Sequence, residues 1–307
     1  MSNDAPLIEA PKKNPLPLII AGVVVLALVA GLVYALFLRD DDDKETVRIG
    51  VVGASDPYWD IYEKAAEDEG IDVEIVDFTE YSQPNPAVTN EDLDLNQFQH
   101  IVYLADYNVS NDQDLTPIGA TAIYPLALFS KQYDSVEDIK AGETVAVPND
   151  PSNQARGLLV LQSAGLITLK SGGSIFSDLA DVDEDASKVK VKALSAELTV
   201  TSLDDLAAAI VNNDFVDKAG LKFEDAIATD DPSDPNALPY VNIFAARAED
   251  KDNATYKKLV EIYQDTKAVT DSVQEVSGGT AILLKTPVED LEASLAKVEA
   301  DTLAQKK

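Results

Sequence analysis

The chain has 307 residues, room for one large or two medium domains, and its 55 acidic and 24 basic residues give a formal net charge of −31. That charge argues against nucleic acid as a partner, because phosphates would be repelled. The absence of cysteine excludes disulfides, thiolate metal sites and an acylated N-terminal cysteine, and a single histidine, His100, excludes a multi-histidine zinc site.

The first predicted element is a membrane span. Between Lys13 and Arg39 lie 25 uncharged residues, most of them Leu, Ile, Val, Ala or Gly. At 1.5 Å rise per residue such a helix crosses a hydrocarbon core of about 30 Å. Lys12 and Lys13 precede the run, and Arg39 with Asp40 to Asp43 follows it, so the basic side is expected in the cytoplasm and the C-terminal bulk outside. Val33-Tyr34-Ala35 also resembles a signal-peptidase site, but the apolar run is long for a signal peptide, and a retained anchor is the expectation. Residues 1–15 then form a cytoplasmic tail, 16–38 a transmembrane helix and 39–46 a solvated acidic linker.

Beyond residue 46 the pattern alternates strand and helix. Val47 to Ala54 reads as a buried strand. Tyr58, Ile61, Tyr62, Ala65 and Ala66 fall at helical spacing and Gly70 ends that helix. Val73 to Phe78 alternates as a strand, Pro84-Asn85-Pro86 marks a polar turn, and residues 100 to 108 look helical. Two apolar runs between 115 and 130 are broken by Pro117, Gly119 and Pro125, and Ser135 to Lys140 reads as a short capped helix. Residues 170 to 190 read as loop and Lys188 to Leu194 as a strand. Ser202 to about Val211 is expected to be a helix, Pro239 to Ala246 a strand, and 253–265 and 287–303 helices. The last is expected to open with a Thr286–Glu289 capping box and to carry a Val288, Leu291, Leu295, Val298 stripe. This alternation predicts a mostly parallel α/β sheet in two units, with a ligand crevice between them.

No G-x-G-x-x-G, G-x-x-x-x-G-K-[ST] or G-x-S-x-G motif is present, so an enzyme has little to rest on and no cofactor is implied. Two stretches carry chemistry. In the first, the strand Thr144 to Pro148 runs into Asn149-Asp150-Pro151-Ser152 and then a helix. Asp150 or Ser152 can cap that helix, Pro151 suits its first position, and Arg156 lies one turn in. Free N–H groups, the helix dipole and a two-pronged guanidinium together suit a carboxylate or phosphate, although the same residues also make an ordinary turn with a surface arginine. In the second, Phe98, His100 and Tyr103 lie close together with Tyr81 upstream. They suit a small apolar ligand, sulfur included, although on spacing alone core aromatics with one satisfied histidine are the favoured reading.

These stretches form part of an ordered set: Tyr81 with Gln83-Pro84-Asn85-Pro86-Ala87, Asp92 to His100 with Tyr103-Leu104, Val147 to Arg156, Leu158 to Gln162, Ala164 to Ile167, Ser202 to Asp205, Ala219 to Leu221 and Pro239 to Asn242. In this order they resemble the NlpA family, methionine-binding lipoproteins that serve methionine ABC importers. The likeness covers roughly residues 47 to 285. It implies a two-lobed periplasmic-binding-protein fold of type II, with 47–124 and 245–307 in one lobe and 125–244 in the other. Arg156 would clasp the ligand carboxylate, Asn212 and Asn242 would hold the α-amino and carboxylate groups, and Tyr81, Phe98, His100 and Tyr103 would enclose the thioether. The chain departs from the family in three places: it lacks the acylated cysteine, Ile101-Val102 stand where Lys-Pro usually follows the histidine, and Asn212-Asn213-Asp214 replaces Asn-Gly-Asn. The expectation is an extracellular, single-pass receptor for methionine with an ABC permease as partner. D-methionine or a methionine-containing dipeptide is the alternative ligand, and an anchored surface enzyme or adhesion module the alternative class.

Overall fold

The computed structural model describes residues 46–234 and 237–306. Among these residues no helix is long and apolar enough to cross a membrane. The expected cytoplasmic tail, the span at 16–38 and nearly all of the acidic linker lie outside the described residues.

The chain runs through β1 (Val47–Val51), α1 (Pro57–Asp68), β2 (Val73–Asp77), α2 (Pro84–Thr89), β3 (Leu95–His100), α3 (Ile101–Asn111), β4 (Thr116–Ala120) and β5 (Ala122–Ile123). It then crosses to a second lobe: β6 (Ala127–Phe129), β7 (Thr144–Pro148), α4 (Pro151–Ser163), β8 (Lys190–Leu194), α5 (Ala196–Thr199), β9 (Ala208–Val211), α6 (Asn213–Val216) and β10 (Ala228–Thr229). It returns through β11 (Asn242–Ala246), α7 (Ala254–Asp265), α8 (Lys267–Val276), β12 (Ile282–Leu283) and α9 (Val288–Gln305).

The two sheets have matching plans, β2-β1-β3-β11-β4 in lobe 1 and β8-β7-β9-β6-β10 in lobe 2. In each, three parallel strands are followed by one antiparallel strand, and that strand is the one reached by crossing from the other lobe. Two connections therefore join the lobes: Tyr124-Pro125-Leu126 and the segment between Thr229 and Asn242. Parallel strands open toward helix N-termini at their carboxyl ends, so the ends of β3, β7 and β9 point their following residues into the crevice between lobes. Pro117 is accommodated because β4 is the edge strand of its sheet.

Four expectations change. A lobe boundary after residue 244 would divide β11, whose residues pair with β3 on one side and β4 on the other, so all of Asn242–Ala246 belongs to lobe 1. Ser202 to Val211 is not one helix: a 3-10 turn at Thr201–Asp204 leads into β9, where Ala208 to Val211 are all buried between β6 and β7. Burial on both faces overrides the helix preference of the alanines. Pro84-Asn85-Pro86 opens α2 instead of a bare turn. Finally, α9 starts at Pro287 with no side-chain cap, so the Thr286–Glu289 box does not form, while Leu291, Leu295 and Val298 are buried as the stripe predicts. These three residues pack onto α3 and β4, and Asn108 on α3 donates to Glu299 on α9 at 2.8 Å.

Candidate functional site

The seven residues singled out in the sequence, Tyr81, Phe98, His100, Tyr103, Arg156, Asn212 and Asn242, all line one cavity between the lobes. Lobe 1 contributes the aromatic side. Tyr81 follows β2, Phe98 and His100 stand on β3, and Tyr103 is in the first turn of α3. The rings of Tyr81, Phe98 and Tyr103 lie with centroids 5.6–6.2 Å apart in tilted or edge-on pairs, the geometry aromatic quadrupoles favour.

β3 has no apolar alternation and could not be read as a strand, because all six of its residues are buried and four of them are polar. Its polar side chains are satisfied locally. Asn96 and Gln99 both donate to the Asn85 carbonyl, at 2.9 and 2.6 Å, and Asn85 donates to Gln99 at 2.7 Å. Such a closed network removes the penalty of burying amides and fixes where the strand ends. It ends at His100, which caps α3: its Nδ1 accepts from the backbone N–H of Tyr103 at 3.1 Å. The proton therefore sits on Nε2, which faces Asn153 Oδ1 at 3.3 Å. Burial first, and the charge of Arg156 second, lower the His100 pKa from 6.5 to about 3, so the imidazole is neutral.

Asn153 is the hub of the second wall and was not anticipated. Its Oδ1 faces His100 and also accepts from Asn212 Nδ2 at 3.1 Å, while its own Nδ2 and backbone N–H donate to Asp150 Oδ1 at 3.0 and 2.9 Å. Ser152 donates to the same oxygen at 3.0 Å. Asp150 is thus the cap of α4, and the carboxylate at that helix N-terminus belongs to the chain itself. The helix end expected to receive an external anion is thus filled by Asp150, and Arg156 lies one turn further down. Asn153 and Arg156 share a face of α4 by their i, i+3 spacing, the one sequence signal that could have found Asn153.

Arg156 is 6% exposed. Its Nε donates to Asp230 at 2.6 Å, one Nη2 hydrogen goes to the carbonyl of Tyr124 at 2.8 Å, and the ring of Tyr240 covers the guanidinium 4.5 Å from its centroid. Nη1 and the second Nη2 hydrogen have no partner among the described residues. Asn212 Oδ1 is buried and unpartnered too. Asn242, in register with His100, fixes its backbone through Thr121, whose N–H donates to the Asn242 carbonyl at 2.8 Å. Gln99, Tyr124, Pro125, Leu126, Asn153 and Asn213 complete the lining, and none of them was expected to contact a ligand from the sequence.

Asp214 does not face this cavity. It lines a neighbouring one of about 350 Å³, where it accepts from Tyr81 Oη at 2.7 Å and from Asn213 Nδ2 at 2.7 Å. The added carboxylate of the Asn212-Asn213-Asp214 run is therefore turned away from the edge of Arg156 that an anion would meet.

A cleft with an unpaired guanidinium edge, an unpaired carbonyl and a ring-lined wall is built to hold a small molecule by polar groups at one end and an apolar body at the other. The NlpA lipoprotein family model matches residues 47–283. The chain belongs to this family. Among curated NlpA relatives, the D-methionine-binding lipoprotein MetQ of Escherichia coli K12 is 36% identical over 261 residues, covering 83% of this chain and 94% of the relative. Two solved structures are similar over most of this chain. The substrate-binding protein of a methionine transporter from Streptococcus pneumoniae has a TM-score of 0.73 at 34% identity, covering 78% of this chain and 95% of that one. A nutrient-binding protein from Burkholderia cenocepacia bound to methionine has a TM-score of 0.72 at 35% identity, covering 77% and 99%. The α/β two-lobed architecture is thus that of the family's substrate-binding proteins.

Proposed function

We propose that this protein is the substrate-binding component of an ABC importer, not an enzyme, and that it takes methionine in the cleft between its lobes. The supporting observation is the division of the cavity wall: a free guanidinium edge and the unpaired Asn212 Oδ1 on one side, three aromatic rings and a neutral imidazole on the other. A ligand carboxylate suits the guanidinium as a two-pronged pair. An α-ammonium suits Asn212 Oδ1, since Asn212 Nδ2 is already given to Asn153. Asn242 lines the same cavity. A thioether suits Tyr81, Phe98 and Tyr103, because polarizable sulfur packs well at ring edges. Arg156 lines the cleft, which leaves the anchored enzyme or adhesion module without support.

We further infer that residues 16–38 span the membrane with the lysine pair inside and the lobes outside. Such a tether holds the receptor near its permease by raising effective concentration. The lobes, of type II arrangement, would close on ligand by hinge motion at Tyr124-Pro125-Leu126 and at the segment before β11.

Several curated relatives, MetQ of Escherichia coli among them, are named for D-methionine, which makes the D-isomer the first alternative ligand. A thermal-shift series with L-methionine, D-methionine and glycyl-methionine separates the readings, since ligand raises stability by RT ln(1 + [L]/Kd), about 2.7 kcal/mol at a hundredfold excess over Kd. L-methionine is expected to raise the melting temperature most. A larger shift with either of the others replaces the ligand assignment, and no shift with any of the three refutes the receptor reading.

A further inference from the structure

Arg156 does not stand alone. Asp230, immediately after the edge strand β10, is fixed to the first interlobe connection at both ends: its N–H donates to the Leu126 carbonyl at 3.2 Å, and its Oδ1 accepts from the Leu126 N–H at 2.8 Å. This leaves Oδ2 aimed at Arg156 Nε, 2.6 Å away. With Tyr124 carbonyl on Nη2, one whole edge of the guanidinium, Nε with Nη2, is taken by the chain. The remaining edge, Nη1 with Nη2, is the only one a ligand carboxylate can meet. The charge is balanced as well as the geometry. Arg156 and Asp230 cancel as a close pair, the buried imidazole of His100 is neutral, and Asp214 is engaged by the Tyr81 hydroxyl and lines the neighbouring cavity.

We propose that Asp230 is a positioning and specificity-determining residue: it selects the edge of Arg156 that meets the ligand and, by cancelling that charge, sets the cleft for a zwitterionic amino acid over a carboxylate that lacks the ammonium group. This rests on the reading of the cleft as an amino-acid site. A lone arginine in a buried site would favour the net anion, because the ammonium of a zwitterion would feel its repulsion. Paired with Asp230, the arginine can still offer two N–H groups to the carboxylate while the ammonium meets no uncompensated positive charge.

The test is calorimetry with L-methionine and its des-amino analogue 4-(methylthio)butanoate, on wild type, Asp230→Asn and Asp230→Glu. Wild type is expected to prefer methionine. In Asp230→Asn the preference for the zwitterion should fall by about tenfold or more, because charge compensation is lost. Asp230→Glu, which keeps the charge, should retain most of the preference even if both affinities drop. Melting temperatures of the ligand-free proteins identify a variant that does not fold, and the glutamate variant then carries the comparison against wild type. A purely structural role weakens both ligands by one factor, so an unchanged ratio in Asp230→Asn overturns the proposal while leaving the methionine reading intact. Failure of wild type to bind methionine overturns both.

Discussion

The hydroxyl of Tyr81, on lobe 1, donates to the carboxylate of Asp214, on lobe 2, across 2.7 Å. The bond joins the two lobes, so the hinge opening proposed above would break it. Burial is the first cause that raises the Asp214 pKa from 3.8 to about 7. The hydroxyl of Tyr81 and the ammonium of Lys218 oppose it, and the carboxylate of Asp56 adds to it. A group whose pKa is raised in the closed state favours closure when protonated. That contribution is full below about 4 and is lost as the pH rises through about 7. Closure is therefore coupled to proton uptake near neutrality. Asp214→Asn, which keeps an acceptor for Tyr81 and cannot ionise, should bind methionine about tenfold or more tightly than wild type at pH 8.5, with the advantage shrinking steadily as the pH falls through 7 toward 4. Titration calorimetry across that range checks it. A variant-to-wild-type ratio independent of pH would show that Asp214 is not titrating at the interface.

His100 has the opposite sign. Its pKa is lowered from 6.5 to about 3 by burial and by Arg156, so its contribution to stability is intact above 6.5 and is lost as the pH falls below that value. His100→Asn can still cap α3 by accepting from the Tyr103 N–H, and it removes the titration. Wild type should lose up to about 2 kcal/mol relative to the variant between pH 7 and pH 5. At pH 7 the variant should be less stable by about 1 kcal/mol for the lost contact with Asn153. Urea denaturation at the two pH values measures both. Parallel stability curves for the two proteins would mean that the imidazole is solvated in solution.

The aromatic box should read sulfur. Sulfur at ring edges is worth about 0.3–1.5 kcal/mol, so methionine should bind about two- to tenfold more tightly than norleucine, which has a methylene in its place. Phe98→Leu should bring that ratio toward one while keeping an apolar wall. Competition binding with the two amino acids gives the ratio directly. Equal affinities for both in wild type would mean that the rings bound a hydrophobic pocket without selecting the thioether.

Much of the fold is legible in the sequence because half-buried elements show their period. α1 carries Tyr58, Tyr62 and Ala66 on one buried face, and α9 carries its leucine stripe. The reading fails where burial is two-sided. β9 has no period because Ala208 to Val211 are buried on both faces, and β3 hides because its buried residues are amides satisfied by one another. In the site, the ordered family motifs gather seven residues around one cavity. What they do not reveal is which residues act through others across long chain separations: Asp230 lies 74 positions from Arg156 in sequence, and Asn153, inside a matched stretch, lies 53 from His100. Local spacing carries no trace of such pairs: Asp230 reaches Arg156 through the second sheet, and Asn153 reaches His100 across the meeting of the two lobes.

The most direct test of the account is calorimetry of methionine and methioninamide on wild type and Arg156→Ala. If the free edge of the guanidinium reads the ligand carboxylate inside a closed cleft, the variant should lose about 2–5 kcal/mol of methionine binding, roughly 30-fold to several thousandfold. Methioninamide, without the carboxylate charge, should bind wild type poorly and lose little more in the variant. Arg156→Lys should recover only part of the methionine loss, because an ammonium lacks the planar fork. Equal losses of free energy for the two ligands on removing Arg156 would contradict the account, since the arginine would then be holding the cleft together without reading the carboxylate.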